Sequence, residues 1–303
     1  MTKNFGASVL ARIKNLAKET RIDVQVLVRR YAQERMVYRL SVSDEAANFC
    51  LKGGLLLSVY NGGNLLRPTE DVDFNGFDGE GDVIRLEHAL KMALAHPVAD
   101  DGVTFHVDSM KITKDRTGIV PGGKVQLLAT VGTAKTEVRV DVGFGNPVTP
   151  QAKKMTIPTL LPGIAPQPEI AAYPLETVVS EKLHAMAQFG LFNTRIKDYF
   201  DLWMLLRLHP FSGAGLRDAI ISTFEHQKRP IPDMESFDAL SDAFVERNKS
   251  TWSKFLKSVA PEQEITFAEA VAEIKGFLAP VLEAIQQSEP ELRDWTPAAG
   301  WRP

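Results

Sequence analysis

The sequence predicts an α+β fold in which a mixed sheet with flanking helices is followed by a helical C-terminal domain. Apolar residues recur at helical spacing over residues 7–40, and segments rich in Val, Ile and Thr follow over residues 103–142. Helical periodicity then continues from Leu175 to the end of the chain. Strands followed by a run of helices are typical of this class. The predicted parts are a basic helical lead at 1–48, a sheet-containing core at 49–165 and a helical C-terminal domain at 166–303.

The lead segment carries an excess of positive charge. Residues 1–40 hold nine Lys or Arg side chains against three acids, whereas residues 67–115 hold eleven acids against five bases. This asymmetry suits a protein that holds a polyanion while it binds cations, but a solvated helical face explains it equally well. Two helices joined near Thr20-Arg21 resemble a helix-turn-helix only weakly, because no turn glycine lies between them. The charge alone leaves a nucleic-acid partner open.

Periodicity and turn residues predict the remaining elements of the fold. The predicted strands are at 70–74, 103–113, 123–131 and 135–142. A helix is predicted to begin after Gly53-Gly54 and to end near Asn61, and further helices are predicted at 82–95, 175–189, 193–208, 214–227, 236–247, 251–258 and 266–287. The proline-rich segment 145–168 is interpreted as a loop or linker.

Three aspartates stand where a metal site is expected. Alternate side chains of a strand point to one face, so Asp71 and Asp73 point the same way and repel each other unless a cation lies between them. Asp141 lies on the polar face of the strand at 135–142 and would complete a triad if the two strands were neighbours. Mg²⁺ prefers carboxylate oxygens, and phosphoryl or nucleotidyl transfer depends on such ions. The triad is therefore predicted to hold two Mg²⁺ ions. A calcium loop is a weaker interpretation, because its 12-residue ligand pattern is absent from the sequence.

Gly53 and Gly54 precede the aspartates at the predicted start of a helix. Residues without side chains let a phosphate approach the backbone N–H groups and the positive end of the helix. A glycine pair alone is usually only a turn. The order of glycine pair, helix, Asp-x-Asp strand and later Asp strand is more specific, and it favours a nucleotide-binding site.

The helical part offers charged residues of its own. Lys182 lies off the apolar stripe of its helix and could reach a triphosphate. Arg195, Asp198 and Asp201 are spaced three apart on the next helix, where they could also form a purely local ladder of ion pairs. Taken alone, the local interpretation is favoured.

Five motifs together resemble a known family. They are Phe49-x-Leu51-Lys52-Gly53-Gly54, Arg67-Pro68-Thr69-x-Asp71-Val72-Asp73-Phe74, Val140-Asp141-Val142-Gly143-Phe144-Gly145, Tyr173-Pro174-Leu175-Glu176-Thr177-Val178-Val179-x-Glu181-Lys182-Leu183 and Arg195-x-Lys197-Asp198-Tyr199-x-Asp201-Leu202. The pattern is similar to that of the AbiEii-type nucleotidyltransferase toxins (AbiEii/AbiGii, MenT-like) and covers roughly residues 7–210.

The resemblance implies a polymerase-β-type nucleotidyltransferase domain followed by a helical domain. It implies a toxin, restrained by a partner antitoxin, that transfers a nucleotide from an NTP to RNA, notably the tRNA 3′ end, and so halts translation. Mapped onto this sequence, the resemblance implies that Mg²⁺ binds at Asp71, Asp73 and, as a third carboxylate, Asp141. It also implies that Lys182 holds the triphosphate, that Asp198 is a further essential acid, and that phosphates contact Lys52, Gly53, Gly54 and Arg67. Thr69 belongs to the same phosphate-binding set on this resemblance, but its role stays open between a phosphate contact and a modified residue.

Two other functions remain open at this point. The same fold could act on a protein or small-molecule acceptor, or it could be a non-catalytic binding module. No apolar run reaches about 18 residues, and the start of the chain lacks a signal-peptide pattern, so a cytoplasmic protein without a membrane partner is expected.

Overall fold

The computed structural model describes residues 5–64, 67–76, 83–115, 122–259, 264–288 and 292–302. The chain forms two compact units, Met1–Asn146 with Ala152–Tyr173 and Pro147–Gln151 with Pro174–Pro303. They are called the first and second unit below.

A mixed sheet forms the centre of the first unit. Within the described residues it has seven strands: β1 (Phe49–Lys52), β2 (Asp71–Gly76), β3 (Val103–Asp115), β4 (Gly122–Val131), β5 (Ala134–Phe144), β6 (Lys153–Thr156) and β7 (Glu169–Ala172). Their order is β3-β4-β5-β2-β1-β7-β6. The central strand β2 pairs in parallel with β5 and antiparallel with β1. Apolar side chains alternate into the core along β2 and β5, so every second residue of these strands is left on the other face.

Four α-helices accompany the sheet in the described part of the first unit: α1 (Phe5–Thr20), α2 (Val24–Val42), α3 (Gly53–Tyr60) and α4 (Val83–Ala95). Asp23 caps α2 by accepting hydrogen bonds from the backbone of its first turn. Much of α2 is buried, including charged residues that are paired. Arg39 makes a two-pronged contact with Asp101, with N–O distances of 2.8 and 2.9 Å, and Arg30 lies 2.7 Å from Glu34. These arginines therefore hold the fold together and do not face solvent.

The described part of the second unit is mainly helical. Its helices are α5 (Leu175–Phe189), α6 (Ile196–Leu208), α7 (Gly213–His226), α8 (Asp242–Val259) and α9 (Phe267–Gln287), and a short hairpin is formed by β8 (Asp294–Thr296) and β9 (Gly300–Arg302). Aromatic rings fill its core: Tyr199 stacks on Phe244, and Trp252 stacks on Phe267. Thr266 and Glu269 form a capping box at the start of α9.

The predicted fold class is confirmed: a mixed sheet with flanking helices precedes a set of helices. Two local predictions were wrong. Helix α8 is continuous over Asp242–Val259, where separate helices at 236–247 and 251–258 were predicted. The segment Lys153–Thr156 is strand β6 and not a loop; most of its side chains are exposed at the sheet edge, so it has no apolar alternation to detect.

Among the described residues, none of the helices combines the length and the apolar character needed to cross a membrane.

Candidate functional site

Four charged residues form a row across the sheet of the first unit. Lys52 on β1 pairs with Asp73 on β2, Asp73 pairs with Asp141 on β5, and Asp141 pairs with Lys124 on β4. Residues paired across neighbouring strands project to the same face. The row therefore runs cation, carboxylate, carboxylate, cation. At one end the Lys124 ammonium lies 3.9 Å from a carboxylate oxygen of Asp141.

The alternation of the strands explains why these side chains share a face. Val72 and Phe74 on β2 are fully buried, and so is Val140 on β5. Burying these residues forces Asp73 and Asp141, their neighbours in sequence, to the opposite face. A slip of one residue in either strand would bury a carboxylate, so the hydrophobic pattern fixes the position of the acids.

Asp71 lies two residues before Asp73 on the same face of β2, beside Arg139 of β5 in register. The guanidinium of Arg139 is 2.6 Å from a Glu137 oxygen and 3.2 Å from a Glu70 oxygen. The hydrogen bond and charge of Glu137, with the charges of Glu70 and Asp71, raise the pKa of Arg139. A permanent positive charge therefore accompanies Asp71.

The glycine pair lies directly against these residues. Gly53, the first residue of α3, has a φ of +71°, and a Cβ placed on it would lie 1.9 Å from an Asp73 oxygen. A Cβ on Gly54 would lie 2.7 Å from the Thr69 hydroxyl and 3.6 Å from an Arg67 nitrogen. The first turn of α3 is thus held close to Asp73, Thr69 and Arg67. Only glycine gives both the left-handed backbone and the close approach at residue 53.

Lys52 joins this group at the end of β1. Its ammonium lies 5.5 Å from the centre of the Tyr173 ring, a distance at which a cation is attracted by the ring face. Within the described residues, the Lys52 side chain makes no capping bond to α3. The N–H groups at the start of a helix are suited to donate hydrogen bonds to a phosphate.

The donor atoms at this site are carboxylate oxygens, which are the kind of ligand that magnesium prefers. Within the described residues no three His, Cys, Asp or Glu side chains are close enough to hold a metal ion by themselves. Magnesium commonly takes only one or two carboxylates and completes its shell with water and substrate phosphate. The paired aspartates supply hard oxygens of this kind, and the Asp73 carboxylate lies directly against Gly53 at the start of α3. Both observations suit Mg²⁺ bound together with a nucleotide.

A second charged cluster lies in the second unit. The Lys182 ammonium is 2.7 Å from an oxygen of Asp198 and 2.7 Å from an oxygen of Asp201, and Arg195 Nε is 2.6 Å from the other Asp198 oxygen. Asp198 and Asp201 have exposed side-chain fractions of 1% and 0%. Burial opposes ionisation of Asp198, but the charges of Lys182 and Arg195 outweigh it and hold the pKa well below its usual range. The cluster therefore joins α5 to α6 and is more than a ladder along one helix.

Two members of these two groups were missed in the sequence, and the contact made by a third was not foreseen. Lys124 is brought to Asp141 by the pairing of β4 with β5. Tyr173 directly follows β7 and lies near Lys52, with its backbone N–H donating to the Leu51 carbonyl. Neither residue belongs to an aspartate or glycine motif. Asp201 was noticed only as part of a local ladder, although its spacing of three from Asp198 was the available signal.

A family model described as the nucleotidyl transferase AbiEii toxin of type IV toxin–antitoxin systems matches residues 35–273. No curated protein matches the chain. Among solved structures, a candidate nucleotidyltransferase from H. pylori shares 16% identity at a TM-score of 0.47 and covers 88% of this chain and 98% of its own. JHP933 from Helicobacter pylori shares 15% identity at a TM-score of 0.44, with coverage of 86% and 92%.

The family model extends over well more than half of the sequence, including all the motifs singled out above. The chain therefore belongs to the AbiEii family of type IV toxin–antitoxin systems and is a nucleotidyltransferase.

Proposed function

We propose that this toxin uses Mg²⁺ to transfer a nucleotide from an NTP to RNA, at the 3′ end of tRNA, and thereby blocks translation until a cognate antitoxin restrains it. The observation that carries the proposal is the charged row of Lys52, Asp73, Asp141 and Lys124, with Gly53 set against Asp73. This arrangement suits a reaction in which negative charge gathers on a phosphate group.

In the proposed reaction the hydroxyl oxygen of the acceptor bonds to the α-phosphorus of the NTP while the bond to the pyrophosphate breaks in line with it. Asp71, Asp73 and Asp141 would hold the Mg²⁺ ions. When bound, these ions neutralise the nonbridging oxygens and the leaving pyrophosphate and help to activate the hydroxyl.

The chain's own groups bind and orient the nucleotide. The N–H groups at Gly53 and Gly54 point from the positive end of α3 and suit phosphate oxygens, which Lys52, Arg67 and Thr69 would also contact. On the family resemblance, the proposal extends to Lys182 as a triphosphate ligand and to Asp198 as an essential acid.

Burial limits which basic residues of the lead segment, residues 1–48, can contact an RNA backbone. Arg30, Arg35 and Arg39 are buried, and two of them are paired inside the first unit. The exposed cations of α1, Arg12, Lys14 and Lys18, are the better candidates. Contacts of this kind to phosphates weaken steeply with added salt.

The test is incorporation of each of four α-³²P-labelled NTPs into total tRNA, with Mg²⁺ and with EDTA. The wild type is compared with Asp73→Asn, which is isosteric but loses the charge. Glu70→Gln is the matched control, because it removes the charge of a neighbouring acid that contacts Arg139 at the surface. We expect labelling by the wild type and Glu70→Gln in Mg²⁺ only, and a loss of at least about 100-fold for Asp73→Asn.

The outcomes separate the parts of the proposal. Label on a protein or a small molecule and none on RNA would reject RNA as the acceptor. Labelling that persists in EDTA would reject the metal. Label on tRNA should also stop a cell-free translation reaction, and untreated tRNA should restore it; unimpaired translation would reject the proposed block.

A further inference from the structure

The described part of the second unit contains an open cavity with a volume of about 530 Å³, which is within the range of small-ligand sites. Helices α6 and α9 and the β8–β9 hairpin contribute its walls, including Leu206, Arg207, Glu273, Gly276, Trp295 and Trp301. None of these residues belongs to the charged row or to the cluster around Lys182.

Two indole rings line the cavity in fixed positions. The rings of Trp295 and Trp301 lie 5.6 Å apart at an angle of 68°. The indole N–H of Trp295 donates to the Leu206 carbonyl at 2.7 Å, and that of Trp301 donates to the Phe277 carbonyl at 3.2 Å. Both N–H groups are used inside the protein, and Trp301 also stacks on Phe277 with ring centroids 5.6 Å apart. What these two side chains present to the cavity is therefore the remaining surface of their rings.

Gly276 has no side chain, so its part of the cavity wall is unfilled. It lies inside α9, where glycine is about 1 kcal/mol less favourable than alanine. A Cβ built on it would meet no other atom within 4 Å among the described residues, so close packing does not require the glycine. Four residues later stands Pro280, which has no N–H to donate to the Gly276 carbonyl. This wall therefore combines open space with a carbonyl oxygen that lacks its helical donor.

The two charged side chains at the cavity, Arg207 and Glu273, form an ion pair with no net charge. Arg207 Nη1 lies 3.0 and 3.1 Å from the two Glu273 oxygens, and both side chains are partly exposed, at 41% and 36%. A neutral pair does not favour a phosphate over other groups. It offers donors and acceptors to a flat, uncharged ligand that has both kinds of group along its edge.

We propose that this cavity binds an unpaired nucleobase of the RNA acceptor, an inference that rests on the proposed RNA substrate. A base presents a flat ring to the indoles and a polar edge to Arg207, Glu273 and the Gly276 carbonyl. Recognition of single-stranded RNA commonly relies on such stacking with aromatic rings. The cavity thus selects RNA that has unpaired nucleotides.

The test measures equilibrium binding of three fluorescein-labelled RNAs without NTP: deacylated tRNA, a single-stranded 12-mer and a 12-base-pair duplex. Gly276→Ala and Gly276→Leu fill the bare wall in two steps. Ala268→Leu is the matched control, since Ala268 is exposed on the same helix and does not line the cavity. We expect Gly276→Leu to weaken binding of tRNA and the single strand by between about fivefold and a hundredfold, with a smaller effect for Gly276→Ala. Duplex binding and the control should not change.

Thermal melting tests whether a loss of RNA binding arises only from a less stable fold. If Gly276 only served the bend at Pro280, both substitutions would lower the melting temperature, and the loss of binding would follow it. The inference instead requires equal or higher melting temperatures together with weaker RNA binding. Unchanged binding of the single strand by Gly276→Leu would overturn it, and so would unchanged RNA binding with a loss of antitoxin binding.

The cavity inference and the proposed transfer of nucleotides to RNA can be rejected independently of each other. If the wild type labels tRNA and Gly276→Leu does so with an unchanged KM for tRNA, the cavity inference is wrong and nucleotidyl transfer to RNA stands. If the wild type binds the single strand in the cavity but labels no RNA, the base site stands and the proposed acceptor is wrong.

Discussion

Replacing Gly53 by alanine should disable the toxin without unfolding it. An added Cβ would lie 1.9 Å from the Asp73 carboxylate, whereas real Cβ contacts are essentially never closer than 3.0 Å. The carboxylate must therefore move by about 1.1 Å, or α3 must move away from it. A displacement of about 1 Å within a reacting group costs about 100-fold in rate. We expect kcat/KM for nucleotide transfer to fall by that factor.

The control for backbone strain is Gly62→Ala. Gly62 has a φ of +65°, close to the +71° of Gly53, but its added Cβ would meet no other atom within 4 Å in the described part of the chain. Both substitutions place alanine in the left-handed region, at a cost of about 1–2 kcal/mol. Both should lower the melting temperature by about 2–8 °C. The difference in activity then isolates the contact with Asp73.

The assay is transfer of the best α-³²P-labelled NTP to its acceptor at several Mg²⁺ concentrations, with melting followed by circular dichroism. We expect Gly62→Ala to keep nearly full activity. If Gly53→Ala stays within about twofold of Gly62→Ala, the reaction does not depend on the position of Asp73, and the assignment of the site fails.

Three further predictions concern the buried charges. Lys182→Met should lower the free energy of unfolding by about 3–5 kcal/mol in urea titrations, because it leaves the carboxylates of Asp198 and Asp201 buried without their cation. Because the folded pKa of Asp198 lies below its unfolded value of about 3.9, its stabilising effect is complete above that value and is lost as the pH falls towards the folded pKa. The urea midpoint of the wild type should therefore drop below about pH 4, and the drop should be smaller in Asp198→Asn; equal drops would contradict this. Asp101→Asn should cost about 3 kcal/mol by calorimetry, because Arg39 loses its two-pronged partner, and a cost under about 1 kcal/mol would show that the pair contributes little.

The parts of the site that depend on local alternation could be predicted from the sequence. The pattern of Val72 and Phe74 predicted which face carries Asp71 and Asp73, and their burial confirms that face. The valines of β5 gave the same information for Asp141. The roles of these aspartates in metal binding stay predictions, because strand alternation fixes direction and says nothing of occupancy.

The parts that depend on distant pairing could not be predicted. Lys124 reaches Asp141 only because β4 and β5 pair in one register, and a single strand does not specify its partner. Lys182 meets Asp201 across 19 residues and two helices. Edge strand β6 and the strands of the β8–β9 hairpin are too short to show a run of alternating apolar and polar residues. The periodicity of apolar residues therefore could not predict them.

The order of strands in the sheet has a consequence for the timing of synthesis. Strand β5 lies between β4 and β2, and it is the last of the four strands of the charged row to leave the ribosome. A nascent chain that has not yet exposed Phe144 has no complete β5 and cannot assemble the row. The charged row of this toxin can therefore assemble only after nearly half of the chain has emerged.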